Sequence, residues 1–303
     1  MGFQLKNKVV IITGAAQGLG KHLAELSILE SAKGVIITDI NKELLLITEE
    51  SLKQKYDANS RIISFQHNIQ DPKQWDHVWE ESEKKFGHVD VLVNNAGITS
   101  FTEWENCINT NLMGTLHGGF LAIKKMAKGG RIVNIASMAG LIIGLGDADE
   151  SGYTISKQGV VAFTKSFAKK SLLKKLPGTK NNNLSDFHGI KCYAICPFFI
   201  DTNMLKSVSL QNKLEKVLTV EEVGKAFLLS LEIDQNGACY TLYPGSPIIE
   251  FPSTNAFAYN LMFMAGVLLK KVYPDLQILQ FSTFFALIAV VVTLILFLLY
   301  SIC

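Results

Sequence analysis

The chain lacks a charge imbalance: among 303 residues, 29 lysines and arginines face 27 aspartates and glutamates, for a net +2. Nothing in that overall balance points to nucleic acid as a partner. A metal-ligand pattern is missing as well. Five cysteines (Cys107, Cys192, Cys196, Cys239 and Cys303) are scattered, odd in number and free of CxxC or Cys/His spacing. They imply no structural metal and fit a reducing compartment. Cys192 and Cys196 fall in an apolar, strand-like run and are expected to be buried thiols. The first residues lack the long apolar stretch and small-residue cleavage site of a secretory signal. Lys6 stands where a myristoylation signal has Ser or Thr. There is no internal repeat beyond an alternation of strand and helix patterns.

What is present is apolar content of 48%, enough for a substantial core. Lys8 to Thr13 is a nearly continuous apolar run, the pattern of a parallel strand buried on both faces. It enters Gly14-Ala15-Ala16-Gln17-Gly18-Leu19-Gly20 and then a helical stretch from Lys21 to Ser31. Strand, glycine turn and helix together make a phosphate cradle at a helix N-terminus. A second buried strand, Gly34 to Thr38, ends at Asp39, whose carboxylate can accept from ribose hydroxyls and would repel a 2′-phosphate. Gln17 and Ile40 supply no cation for that phosphate, so NAD rather than NADP is the expected cofactor. Further strands are predicted at Arg61–Phe65, Val89–Val93, Arg131–Ile135, Ile190–Ile195 and Tyr240–Tyr243. His67-Asn68-Ile69, Asn94-Asn95-Ala96-Gly97 and Ala136-Ser137 stand at strand ends, where α/β sheets bind ligands. Ser137 has two readings there, as a loop cap or as a group holding a substrate oxygen; His67 reads as an ordinary strand-end histidine. Thr219 and Glu222 have capping-box spacing.

Tyr153 and Lys157 have i,i+4 spacing, which puts both side chains on one face of a helix, one turn apart. An ammonium that close to a phenol favours the phenolate, giving a general acid/base usable near neutral pH. By itself Y-x-x-x-K is a common accident.

The set Thr13-Gly14-x-x-x-Gly18-x-Gly20, Asn94-Asn95-Ala96-Gly97, Asn111, Ser137 and Tyr153-x-x-x-Lys157, in that order, resembles the short-chain dehydrogenase/reductase family over roughly residues 6 to 250. The resemblance implies an α/β, Rossmann-like, doubly wound parallel sheet in a single domain, and a homodimer formed through the helices around Asn111 and Tyr153. It implies Tyr153 as the acid/base, Lys157 as its activator and ribose ligand, Ser137 as the group orienting the substrate oxygen, and Asn111 as support for a water link. Gly14, Gln17, Gly18, Leu19, Gly20, Asp39, Ile40, Asn68, Ile69, Asn95, Ala96, Ile200, Asp201 and Thr202 match cofactor-lining positions, with Tyr153 and Lys157. Within the family, Ser137-Met138-Ala139-Gly140-Leu141 and Ala194-Ile195-Cys196-Pro197 resemble the NAD-dependent 15-hydroxyprostaglandin dehydrogenase subgroup. Three departures stand out: Phe198 after Pro197, where the family has glycine; extra residues between Ser137 and Tyr153, including Asp147, Asp149 and Glu150; and an apolar tail.

That tail, residues 281–303, carries no charge over 23 residues and is long enough to span a bilayer as a helix. The organisation expected is a catalytic domain over 1–250, an apolar juxtamembrane segment over 251–280 and a transmembrane anchor over 281–303. Lys270 and Lys271 favour a cytosolic catalytic domain by the positive-inside bias, in a tail-anchored arrangement that suits the endoplasmic reticulum. A lipophilic secondary or allylic alcohol, of eicosanoid, steroid or retinoid class, is the expected substrate. The second hypothesis is a non-enzymatic dinucleotide-binding membrane adaptor or redox sensor.

Overall fold

A computed structural model describes residues 2–100, 102–142, 151–166, 189–206, 216–251 and 278–279. The tail at 281–303, the Lys270-Lys271 pair, and Asp147, Asp149 and Glu150 lie outside the described residues. Among those described, no helix is long and apolar enough to cross a membrane.

The buried apolar runs form parallel strands, in chain order β1 (Val9–Thr13), β2 (Gly34–Asp39), β3 (Ile62–Gln66), β4 (Val91–Asn94), β5 (Arg131–Ile135), β6 (Lys191–Pro197) and β7 (Cys239–Leu242). Two short strands unforeseen in the sequence follow. These are β8 (Ile248–Glu250), antiparallel to β7, and β9 (Ile278–Leu279), parallel to β8. The sheet order is β3-β2-β1-β4-β5-β6-β7-β8-β9. The winding reverses between β1 and β4, and an open α/β sheet has its ligand crevice at such a switch point.

Helices cover both faces, as a sheet apolar on both sides requires. Because side chains alternate along a strand, Val10 and Ile12 of β1 pack with Leu23, Val223 and Phe227, from α1 (Gly18–Leu29) and α8 (Val220–Ile233). Val9 and Ile11 face the other way, towards Trp75, Trp79 and Phe163, from α3 (Pro72–Phe86) and α6 (Ser151–Ser166). The intervening helices are α2 (Lys42–Tyr56), α4 (Trp104–Cys107), α5 (Thr115–Lys125) and α7 (Asn203–Lys206). Local signals set several starts. Asn41 Oδ1 accepts from Leu44 N at 3.0 Å, Asp71 caps α3 with Pro72 at its first position, and Thr219 and Glu222 form the expected capping box. Helix α1 begins three residues before the expected Lys21 because the glycine turn itself closes its first turn. The four described cysteines are free and buried.

One ionic cluster ties β5 and β6 to the end of α8. Asp234 accepts from Arg131 Nε at 2.5 Å and Nη2 at 2.8 Å, from Lys191 Nζ at 2.6 Å and from the Tyr193 hydroxyl. Burial pushes the carboxyl up, but these donors outweigh it and hold it below its ordinary value. Its stabilisation is therefore complete above the range where an unfolded aspartate titrates and is lost as pH falls through the lower, folded value. Asp234→Asn keeps a residue tolerant of the left-handed conformation found there (φ 57) and removes the charge together with one of the two accepting oxygens. Chemical denaturation at pH 7 should show a loss of about 2–4 kcal/mol. The loss should shrink as pH is lowered below 4.

Candidate active site

The switch point is built by side chains that hold two strand ends together. Thr13 Oγ1 accepts from Asn95 N and Ala96 N at 3.0 Å each, while Asn95 Nδ2 donates to Thr13 O at 2.8 Å and Gly14 O at 3.0 Å. Gly14 lies at φ +66, and a Cβ there would stand 2.7 Å from Ala96 Cα. At Gly20 a Cβ would meet Gly14 O at 2.2 Å. Only glycine permits this approach. Helix α1 then starts at Gly18 (φ +55), with no side-chain cap from Gln17 and no acid in its first turn. Its leading N–H groups face the cleft as an anion cradle, which fits a dinucleotide pyrophosphate.

Asp39 ends β2 beside that turn. Its Oδ2 accepts from Ala16 N at 3.1 Å and its Oδ1 from Asn41 N at 3.0 Å, so the carboxylate is fixed where a ribose would lie. Ile40 is 66% exposed next to it. His67 is buried, with Nδ1 at 3.2 Å from Thr38 Oγ1 and its ring edge-on to Trp75. Burial lowers its pKa to about 4, so it is neutral at physiological pH, and Nε2 has no partner among the described residues. Asn68 and Ile69 follow; Trp75 Nε1 donates to Ile69 O at 2.9 Å and holds that loop.

On α6, Lys157 is buried and its Nζ donates to Ile135 O, the last carbonyl of β5, at 2.9 Å. The same Nζ lies 5.7 Å from the centroid of the Tyr153 ring. Burial pulls the ammonium down to about 8, against nearby Cys196 and Cys107, which raise it. At neutral pH it still carries most of its charge. Ser137 lines the cleft, and its Oγ accepts from Ala139 N at 3.1 Å, capping the short 3₁₀ turn Met138–Gly140. The capping reading is observed, and it leaves the hydroxyl its own O–H as a donor.

Asn111 sits in a π-helical segment, Ile108–Gly114, between α4 and α5. Its Oδ1 accepts from Ile98 N at 2.8 Å, and its Nδ2 donates to Ile98 O at 2.8 Å and Ser156 Oγ at 3.1 Å. Ser156 Oγ in turn donates to Tyr153 O at 2.6 Å. Asn111 is buried and does not line the cleft. In this geometry it clamps the Ile98 backbone to the helix that carries Tyr153.

The cleft measures about 510 Å³. It brings together Gly14, Gln17, Gly18, Leu19, Gly20, Asp39, Ile40, Asn68, Ile69, Asn95, Ala96, Ser137, Tyr153, Lys157, Ile200 and Thr202. Asp201 is not among them; it is exposed, and its N–H donates to Leu218 O at 2.8 Å. Sequence reasoning missed a polar group on the wall. Gln70 Nε2 donates to Asn106 Oδ1 at 2.9 Å and Thr110 Oγ1 at 2.8 Å, and all three residues line the cleft. The i,i+4 spacing of Asn106 and Thr110 is the only trace of it in the sequence. Phe198 lines the cleft too, its ring packed on Phe199 at 4.7 Å and Tyr243 at 4.9 Å between centroids. Residues outside the predicted set, among them Gly97, Met138 and Met204, complete the walls.

Comparison with known proteins agrees with this geometry. The sequence profile described as short chain dehydrogenase matches residues 8–213. The chain is 31% identical to a 15-hydroxyprostaglandin dehydrogenase (NAD(+)) of Mus musculus over 229 residues, 74% of this chain and 79% of the relative. It is 32% identical to the Bos taurus protein of the same name over 219 residues, 71% and 76% of the two chains. It is 34% identical over 215 residues to a 3-oxoacyl-(acyl-carrier-protein) reductase of Thermotoga maritima, 68% and 79% of the two chains.

The buried ammonium makes the site costly to the fold. With a folded pKa of about 8 against 10.5 unfolded, Lys157 binds fewer protons in the folded chain between those values, so stability rises with pH across that window. Below it the desolvation cost is present in full. Lys157→Met should therefore raise the unfolding free energy of the ligand-free protein at pH 7 by about 1–2 kcal/mol and flatten its dependence between pH 8 and 10.5. Urea titrations across that range measure both.

Proposed function

The chain belongs to the short-chain dehydrogenase family of oxidoreductases, and from that premise we propose that it is an NAD-dependent dehydrogenase that interconverts a secondary or allylic alcohol of a lipophilic molecule with its carbonyl. The observation that carries this reading is the convergence of Ser137, Tyr153 and Lys157 on one cleft whose far end holds the glycine turn and Asp39. A nicotinamide dinucleotide held by the glycine turn and Asp39 would supply the hydride acceptor or donor. In the oxidation direction Tyr153 takes the hydroxyl proton as the carbonyl forms, and Ser137 donates to that oxygen and holds it in line. Lys157 keeps a positive charge near the phenol and so favours the phenolate form required of a base. Asn111, through Ile98 and Ser156, fixes the helix on which these groups sit.

Support for NAD over NADP comes from Asp39, fixed by two backbone N–H groups, with no cation at Gln17 or Ile40. The 15-hydroxyprostaglandin dehydrogenase relatives carry NAD(+) in their names. Support for a lipophilic substrate comes from those names and from the apolar wall of Met138, Phe198, Phe199 and Met204. A homodimer fits the exposed Met113, Phe120 and Ile155 on the helices around Asn111 and Tyr153. The catalytic domain spans 1–250, and residues 281–303, preceded by Lys270 and Lys271, anchor it to a membrane with the domain in the cytosol, at the endoplasmic reticulum.

Purified protein should form NADH from at least one alcohol in a panel of hydroxyeicosanoids, hydroxysteroids and retinols. Tyr153→Phe should lower kcat by about 10²–10⁴-fold while leaving the dissociation constant for NADH nearly unchanged. A panel without turnover, or a Phe variant as active as the parent, refutes the dehydrogenase reading. Asp39→Ala should weaken NAD and narrow its advantage over NADP. For the anchor, a chain ending at Lys271 should move to the soluble fraction, and continued membrane association would contradict a span at 281–303.

A further inference from the structure

The geometry points to the strand-start edge of the sheet, opposite the cleft, as a docking surface for an anionic lipid bilayer, with the mouth of the cleft turned away from the membrane. This rests on the anchor reading above and adds an orientation to it. Strands β1 to β7 are parallel and end at the cleft, while β8 is antiparallel to β7. Glu250, at the end of β8, pairs with Tyr240 near the start of β7. β9 runs parallel to β8, with Ile278 opposite Ile248 and Leu279 opposite Ile249. At Leu279 the chain is therefore heading for the strand-start edge, and the 23-residue stretch proposed as the anchor, 281–303, follows two positions later.

That edge is basic. Lys6 and Lys33 precede β1 and β2, and Lys128 precedes β5. All three are exposed, and none enters an ion pair among the described residues. The last turns of α2, α3 and α5, which reach the same edge, carry two lysines each; Lys53, Lys55, Lys84 and Lys125 pair with carboxylates, while Lys85 and Lys124 enter no ion pair among the described residues. The cleft edge is richer in acids, with Asp39 at the end of β2, Asp71 capping α3 and Glu43, Glu221 and Glu222 in first helical turns, against Lys42 and Lys73 in the first turns of α2 and α3. Helix dipoles account for the charges at helix ends. Lys33 Nζ donates to Phe86 O, the last carbonyl of α3, at 2.6 Å, whereas Lys6 and Lys128 stand in strand-start turns that helix ends do not explain. Exposed Glu30 and Asp57 follow α1 and α2 at the strand-start edge, so the net charge of +2 conceals a bias towards lysine there rather than a wholly basic face. Screening confines the attraction of a charged leaflet to about 8–10 Å, so an edge must lie on the surface to feel it. The strands put the cleft roughly 20 Å further out.

The test uses the full chain in liposomes containing anionic lipid, with a fluorophore on Lys128→Cys or on Glu43→Cys and a quencher on the lipid headgroups. Both residues are exposed, and neither lines the cleft. The Lys128 position should be quenched at least about threefold more than Glu43, and Lys6→Glu with Lys33→Glu should reduce that difference while turnover of a soluble alcohol is unchanged. Equal quenching, or stronger quenching at Glu43, overturns the orientation and leaves the anchor standing. A chain that fails to float with the liposomes overturns both. Capture of single-stranded RNA through the same lysines, without positional quenching, assigns them to nucleic acid and overturns the proposal.

Discussion

The site depends on one buried charge. Lys157 holds an ammonium beneath the sheet, bonded to the last carbonyl of β5, and its neighbours are shaped to admit it. A Cβ at Gly97 would stand 3.4 Å from the Lys157 Nζ and 3.1 Å from Asn111 Oδ1. At Gly140 a Cβ would fall 2.6 Å from the Lys157 backbone oxygen, so the turn after Ser137 can lie against α6 only as glycine. The Tyr153 end of α6 is crowded in the same way: a Cβ on Gly152 would meet Trp104 Cβ at 2.7 Å. Three close backbone approaches thus fix a helix whose central lysine opposes folding by its own desolvation. Such a charge persists because the packing around it is over-determined, and its value lies in chemistry rather than stability.

The cofactor end obeys a different constraint. Where β1 and β4 lie side by side their following chains diverge, and the gap has to be held at a fixed width. Thr13 and Asn95 do this with four hydrogen bonds across the gap. Asn95 therefore acts less as a ligand than as a brace, although it lines the cleft. The brace brings Gly14 against Ala96, and that approach leaves the start of α1 uncapped and open to an anion.

What the sequence made legible follows from burial. Strands apolar on both faces read as continuous runs, so β1, β2, β4, β5 and β6 are visible without a structure; β8 and β9, with three and two residues, are too short to leave a pattern. Glycines with steric necessity and the i,i+4 pair on α6 were equally legible, because one turn of helix fixes their geometry. The π-helical insertion around Asn111 was not, since a change from four to five residues per hydrogen-bonded ring leaves no compositional mark. Gln70 was missed for a related reason: its partners Asn106 and Thr110 are distant in sequence, and only the tertiary fold joins them. Asp201 fails as a cleft residue because its backbone pairs with Leu218 and turns its side chain to solvent. Phe198, which departs from the family's glycine, has its ring drawn onto Phe199 and Tyr243, a contact with the residue after β7 that no local pattern reveals.

The direction of β8 and β9 bears on how substrate arrives. If the sheet continued in parallel to its last strand, the chain would leave beside the cleft and the mouth would open onto the bilayer. The proposed orientation rests on the opposite arrangement, in which β9, parallel to the reversed β8, heads for the lysine-bearing edge. In that orientation, a lipophilic alcohol held in the bilayer would have to leave it and cross roughly 20 Å of water, the length of the strands, before reaching Ser137 and Tyr153. Amphipathic molecules make that crossing far more readily than wholly apolar ones, because each buried methylene held in the bilayer costs about 0.8 kcal/mol to expose. Among lipid alcohols the proposed orientation would favour those bearing a second polar or charged group over sterols or retinols that remain dissolved in the bilayer.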